Sequence, residues 1–110
     1  MCVLNDEAAD GEDVSWIWDA GFEMLANRVA FVAASGTRAY DLALRLKYAG
    51  VNTQLVEPDP KSALIAAVDH TPPGETLYIL PTYTAMLTVR NALEQGGFAA
   101  AYWEQVDVSA

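Results

Sequence analysis

One cysteine, one histidine and six basic residues in 110 positions leave this chain without most of the usual equipment for chemistry. Cys2 cannot form an internal disulfide, and Cys2 with His70 falls short of the ligand count of a structural zinc site, so no metal is expected. Six Lys and Arg against fifteen Asp and Glu give a net charge of −9, which argues against nucleic acid or an anionic membrane as partner. No apolar run approaches the roughly 20 residues of a membrane span, and the first residues lack the basic start and apolar middle of a signal peptide. The expected setting is the cytoplasm. Three catalytic signatures are missing too: the Gly-x-x-x-x-Gly-Lys-Ser/Thr phosphate loop, the Gly-x-Ser-x-Gly elbow and a histidine-rich metal motif. The chain is therefore not expected to hydrolyse ATP or to hold a cofactor alone.

What is present is a folded pattern. A hydrophobic share of 53% in alternating apolar blocks excludes disorder, and the length suits one domain, expected over residues 1–105 with a tail at 106–110. Met1-Cys2-Val3-Leu4 reads as a strand that begins at the first residue, as though its start were missing. Val14, Ile17, Trp18, Gly21, Met24 and Leu25 recur at three and four, which predicts an amphipathic helix capped by Asp13, with Trp18 on the buried stripe and Trp16 toward the rim. Arg28 to Ser35 is a short continuous apolar run, expected of a central strand buried on both faces. Helix over Thr37–Ala49, strand over Thr53–Glu57, helix over Lys61–Asp69, strand over Glu75–Leu80 and helix over Thr82–Gln95 follow, with a last strand at Phe98–Glu104. On the first of these helices Arg38, Asp41, Arg45 and Tyr48 are expected on the face away from Ala39, Leu42, Ala43 and Leu46. Parallel strands need crossover connections, so the alternation predicts an α/β, Rossmann-like, mostly parallel sheet with helices on both faces.

In such sheets ligands and partners meet the loops at the carboxyl ends of the strands. The most distinctive of these holds Asp10, Asp13 and Asp19 beside Trp16 and Trp18, a combination that is costly to keep without a use for it. A second, Ser35-Gly36-Thr37-Arg38, offers backbone N–H groups at a helix start and one guanidinium, an arrangement suited to an anion. Its plainer reading is that Ser35 or Thr37 caps the helix while Arg38 pairs with Asp41 one turn on. In the third, Pro81-Thr82-Tyr83-Thr84, the hydroxyls suit helix capping, and Tyr83 is a candidate for an interface. A nucleophile–base pair of Cys2 and His70 is the weakest candidate, since a lone cysteine in an apolar strand is more often core and His70 sits in a surface loop.

Several blocks then carry a resemblance. Leu4-Asn5-Asp6, Ala9-Asp10-Gly11-x-Asp13-x-Ser15-Trp16-Ile17-x-Asp19, Gly36-Thr37-Arg38-Ala39, Leu44-Arg45-Leu46-Lys47 and Pro81-x-Tyr83-Thr84 resemble, in order, the C-terminal domain of the MurT subunit of lipid II isoglutaminyl synthase. Blocks in register are far more specific than any one alone. The resemblance implies a Mur-ligase-like enzyme that works with a glutaminase, GatD. It amidates the D-glutamate α-carboxyl of the lipid II stem peptide to D-isoglutamine, using ATP and magnesium in the complete complex and ammonia from glutamine.

It also implies roles. The glutaminase supplies cysteine and histidine, and the aspartate before x-Ser-Trp, here Asp13, completes the triad across the interface. Asp10, Trp16, Asp19 and Tyr83 become candidates for contact with the glutaminase, and Gly36, Thr37 and Arg38 for an anion or substrate. Glu12 and Gly21 depart from the family pattern, and Glu12 makes the immediate surroundings of Asp13 more acidic, which works against its ionisation. Members of the family carry an ATP-binding ligase domain before this one, so that domain is expected upstream or in trans. The other readings are a non-catalytic fragment that docks a glutaminase-like partner, and a small Rossmann-like domain that binds an anion at Gly36–Arg38.

Overall fold

In the computed structural model, residues 1–97 are described. Four short strands form one sheet: β1 (Cys2–Val3), β2 (Ala33–Ser35), β3 (Leu55–Glu57) and β4 (Leu80–Pro81), in the order β3-β2-β1-β4 with every pair parallel. Cys2 lies opposite Ala34 and Leu80, and Val3 opposite Ser35 and Pro81. Among the described residues α1 (Ala39–Tyr48) connects β2 to β3, α2 (Pro60–Asp69) connects β3 to β4, and α3 (Tyr83–Gln95) follows β4. The expected α/β sheet is thus present, with the run ending at Ser35 as an inner strand. The strand expected at Phe98–Glu104 and the tail at 106–110 lie outside the described residues.

Alternation along β1 and β2 sorts the core into two layers. Cys2, Leu4, Val32 and Ala34 face α1 and pack with Leu42, Leu46, Ala49, Val14 and Ile17. Met1, Val3 and Ala33 face the other way, against Ala63, Leu64 and Ala67 of α2 and Ala85 and Val89 of α3. Period-two side chains on strands with two apolar faces require helices on both sides, and these clusters supply them. Helix α2 starts where its sequence directs: Pro60 occupies the first turn, and Asp59 caps it by accepting from Ser62 N–H at 3.2 Å.

Residues 14–25 depart from expectation. They form two 3₁₀ turns, Ser15–Trp18 and Phe22–Leu25, rather than one α-helix. A continuous helix would use the carbonyls of Ile17 and Ala20 for N–H groups four residues on. Here Arg45, from the middle of α1, donates Nε–H to the Ile17 carbonyl at 2.7 Å and an Nη2–H to the Ala20 carbonyl at 2.8 Å. Arg45 is consequently buried, 4% exposed, where the helical pattern had set it on the outer face.

The 3₁₀ geometry also repositions the tryptophans. At three residues per turn Val14 and Ile17 eclipse one another and both are buried, while residues 16 and 18 are rotated about 120° to either side. Trp16 and Trp18 are therefore 44% and 48% exposed, and Trp18 is not the core residue that the α-helical pattern predicted.

Candidate functional site

All four strands end on the same side, where the loops after β1, β2 and β4 meet. Asn5, buried just beyond β1, joins them. Its Oδ1 accepts the Thr37 N–H at 3.0 Å, its Nδ2 donates to Thr84 Oγ1 at 3.0 Å, and its own N–H donates to Thr82 Oγ1 at 3.1 Å. One amide side chain and its backbone thus set the relative positions of three loops. Nothing in the local sequence marks Asn5 for this; only the convergence of parallel strands does.

Asp10 sits in the next shell of the same network. Its Oδ1 accepts the Thr84 N–H at 2.7 Å, its Oδ2 accepts the Thr84 hydroxyl, and Glu7 N–H donates to the same oxygen. Thr84 is the second residue of α3, so Asp10 caps that helix from the far end of the sequence. Burial pushes its carboxyl up, but the bonds from Thr84, the Thr82 hydroxyl and Glu7 outweigh this and hold it below the ordinary value. Thr82, expected to cap α3 itself, makes no side-chain cap bond there. Asp10 is accordingly a structural cap in this chain, and Tyr83 beside it is exposed.

The Gly36–Arg38 loop has a different character from the anion cradle its sequence suggested. Gly36 N–H donates to the Pro58 carbonyl at 3.1 Å, Thr37 N–H to Asn5, and Arg38 N–H to the Leu4 carbonyl at 2.9 Å. The N–H groups expected to be free are all occupied within the chain. Gly36 has φ +99°, and a Cβ there would lie 2.3 Å from the Leu4 carbonyl oxygen. The glycine is needed for close approach of the β1 and β2 loops. Thr37 does not cap α1; its hydroxyl donates to Asp6 Oδ1 and accepts the Asp6 N–H. Arg38 bonds Asp41 at 2.7 Å, as the plainer reading held, and also Asp6 at 3.2 Å. Hydrogen bonds from Thr37 and then Arg38 hold the Asp6 carboxyl below its ordinary value, and one from Arg38 does the same for Asp41.

Asp13 lies at the rim of a cavity of about 300 Å³ whose wall is formed by Val14, Ile17, Trp18, Arg38, Asp41 and Leu44. Its Oδ1 accepts the Ser15 N–H at 2.9 Å, a cap-like turn at the head of the first 3₁₀ segment. Among the described residues Ser15 is its sole hydrogen-bond partner, and the carboxylate is otherwise open to solvent. Hydrogen bonds from the Ser15 backbone and hydroxyl hold its carboxyl below the ordinary value, so the acidic neighbourhood does not neutralise it. Asp19, at the end of that turn, is exposed.

The two tryptophans serve different walls. Trp18 closes the Asp13 cavity and tilts against Tyr48, ring centroids 5.7 Å apart. Trp16 lines a separate apolar cavity of about 380 Å³ with Phe22, Leu42, Ile79, Leu80 and Pro81. Between them Ile17, 1% exposed, borders both cavities. The residue missed in the sequence is Arg45, which besides its two carbonyl bonds pairs with Glu23 at 2.8 Å. Its place three residues after Leu42, on the flank of the buried stripe, was the available signal.

Cys2 is buried, and burial raises its thiol pKa; His70 stacks on Phe31 at the end of α2, with ring centroids 4.4 Å apart. No described contact joins the two. Among the described residues no group of three His, Cys, Asp or Glu is placed to hold a metal ion, and no helix is long and apolar enough to cross a membrane.

A doubly covered parallel α/β sheet, with its polar network and exposed acid–tryptophan segment on the carboxyl-end loops, defines a Rossmann-like domain of the kind found at the C-terminus of Mur ligases. The profile of the MurT ligase C-terminal family matches residues 1–86, and the chain belongs to that family. It is 43% identical over 99 residues to the lipid II isoglutaminyl synthase (glutamine-hydrolyzing) subunit MurT of Staphylococcus aureus, strains COL and N315, covering 86% of this chain and 22% of each relative. The MurT subunit of Streptococcus pneumoniae strain R6 is 35% identical over 92 residues, covering 83% of this chain and 21% of that relative. The chain thus spans about a fifth of the length of the curated relatives it matches.

Proposed function

We propose that this domain acts in the cytoplasm as the C-terminal part of a glutamine-hydrolysing lipid II isoglutaminyl synthase, docking a GatD-type glutaminase and lending it Asp13. The observation that supports this reading is the state of Asp13: ionised, exposed, held among the described residues by Ser15 alone, and set beside a cavity walled on one side by Trp18 and large enough for a partner's side chain. Asp10 and Asp13 are both aspartates of the same loop, yet the first is consumed by α3 and the second is available.

In the proposed complex the partner's histidine donates its Nδ1–H to Asp13. The carboxylate then fixes the imidazole tautomer and stabilises the imidazolium formed as the partner's cysteine gives up its proton. The thiolate attacks the glutamine amide carbon, and the imidazolium returns the proton to the departing ammonia. The resulting thioester is hydrolysed by water to glutamate. Ammonia would then serve the amidation of the D-glutamate α-carboxyl on lipid II, in the ligase part of the assembly.

ATP and magnesium are assigned to that ligase part, upstream or in trans. The described residues do not suit a nucleotide, because the only glycine-bearing helix start that could cradle its phosphates has its N–H groups occupied by Pro58, Asn5 and Leu4. For the same reason the reading as a free-standing anion-binding domain has no support in the geometry.

The test is glutamine hydrolysis by a cognate glutaminase bound to a ligase subunit carrying this domain, comparing Asp13 with Asp13→Asn at equal complex formation. A loss of about 10⁴-fold with binding intact is expected if Asp13 orients the histidine. Unchanged hydrolysis would reduce Asp13 to the cap of a 3₁₀ turn and leave a docking module without a catalytic share.

A further inference from the structure

Arg45 makes three directed bonds, and all go to one segment. Nε donates to the Ile17 carbonyl at 2.7 Å, while Nη2 donates to the Ala20 carbonyl at 2.8 Å and to Glu23 Oε1 at 2.8 Å. Its guanidinium carbon lies 5.5 Å from the ring centres of both Trp18 and Phe22. The hydrogen bond and pairing to Glu23 raise its pKa further, so the group is a permanent cation. Yet it touches neither Asp13 nor the cavity that Asp13 borders.

Packing alone does not call for this arrangement. A methionine would fill the same place beside Leu42 and Leu46 without the desolvation of a guanidinium. What the planar fork adds is direction: it takes the two carbonyls that a regular helix would use and so dictates the 3₁₀ course on which Ile17 points inward and Trp18 outward. Resting on the role proposed for Asp13, we propose that Arg45 is a positioning residue that holds the 17–23 segment so that Trp18 walls the Asp13 cavity in the geometry the partner's histidine requires.

Two readouts on Arg45→Lys and Arg45→Met test it. The first is hydrogen exchange on the full chain, at the hydrogen-bonded amides of Asp19, Phe22 and Met24 against those of Leu4 and Arg38. Arg45→Met is expected to speed exchange at the first group by about tenfold or more while leaving the second within about twofold. Arg45→Lys, which keeps the charge but loses the fork, should fall between. The second is glutamine hydrolysis by the assembled complex at saturating partner, where kcat should fall in the same order with KM for glutamine little changed.

Exchange that rises equally at both groups of amides makes Arg45 a core residue and overturns the proposal. So does an Arg45→Lys chain indistinguishable from the parent in both readouts, which also decides the matter if Arg45→Met does not fold. Partner affinity falling while kcat at saturating partner is unchanged would make Arg45 a docking determinant alone, again overturning it. Asp13→Asn run alongside separates the two readings: unchanged hydrolysis in that variant defeats the role of Asp13, while the exchange pattern still reports whether Arg45 holds the segment.

Discussion

Asp10 caps α3 across a separation of 74 residues, its Oδ1 accepting the Thr84 N–H at 2.7 Å. The bond closes the acidic loop after β1 onto the helix after β4, and Asn5 pins the same helix start from the other side through Thr82 and Thr84. The loops that carry the candidate site are therefore anchored to secondary structure at both ends.

Removing that cap has a defined expectation. Asp10→Ala leaves the first-turn N–H of Thr84 without its acceptor, a loss of about 1 kcal/mol, or roughly 4–8 °C in the thermal midpoint of a domain this size. Asp10→Asn retains one acceptor and should lose less. Thermal unfolding followed by circular dichroism checks it, and an unchanged midpoint in Asp10→Ala would show that Thr82 or water takes over the cap.

Gly36 is expected to be the least replaceable glycine. Alanine there meets a strained φ of +99° and the Leu4 carbonyl oxygen at 2.3 Å, so the β1 and β2 loops must separate. A loss of about 3 kcal/mol or more in urea unfolding is expected for Gly36→Ala. Gly50→Ala, at φ +77° with open space around it, should lose only about 1 kcal/mol. Equal losses at the two positions would mean that strain alone matters and the contact with Leu4 does not.

Acid should weaken the fold. Asp6 is held below its ordinary value by Thr37 and Arg38, Asp41 by Arg38, Glu23 by Arg45 and Asp59 by Ser62. Each binds protons more weakly folded than unfolded, so its contribution is complete above the unfolded value and is lost as pH falls through the folded one. The unfolding midpoint is expected to stay level from pH 7 to about 5 and to decline below about 4. Asp6→Asn should flatten that decline, and a midpoint level down to pH 3 would show that these pairs contribute little to stability.

How much of this was legible in sequence divides along the range of the interactions. The buried run ending at Ser35 and the apolar spacing of Ala39, Leu42, Ala43 and Leu46 report local geometry, and they located an inner strand and the helix that follows it. The strands came out shorter, as β4 shows, where pairing with β1 involves only Leu80, the last residue of the expected Glu75–Leu80, and Pro81 just beyond it. Residues 14–25 carried an α-helical period and became 3₁₀ turns because Arg45, more than twenty residues on, takes two of their carbonyls. Asp10 stands in the sequence as a candidate for contact with the glutaminase, and its role as a cap is not legible there for the same reason, since its partner Thr84 is distant in sequence. At the site, the Asp13 loop was legible from its unusual composition, whereas the Gly36–Arg38 loop misled, because N–H groups that look free in a motif are occupied by Leu4, Asn5 and Pro58 in space.

Trp16 and Trp18 offer the most discriminating prediction for docking. They flank Ile17 on opposite sides, each about half exposed, with Trp18 against the Asp13 cavity and Trp16 against the cavity at β4. Truncating either removes little from the core, because Ile17 and Val14 supply the burial. If the glutaminase sits over Asp13, Trp18→Ala should weaken its binding by about 30-fold, the loss expected of an interface anchor of about 2 kcal/mol. Trp16→Ala should weaken it only if the interface extends across Ile17 to β4. Titration of the glutaminase against each variant, with thermal midpoints measured in parallel, distinguishes the cases. Losses at both positions describe a partner that straddles the 3₁₀ turn; a loss at Trp18 alone confines it to the α1 side; and full affinity in Trp18→Ala would place the partner away from Asp13 and remove the geometric support for a shared triad.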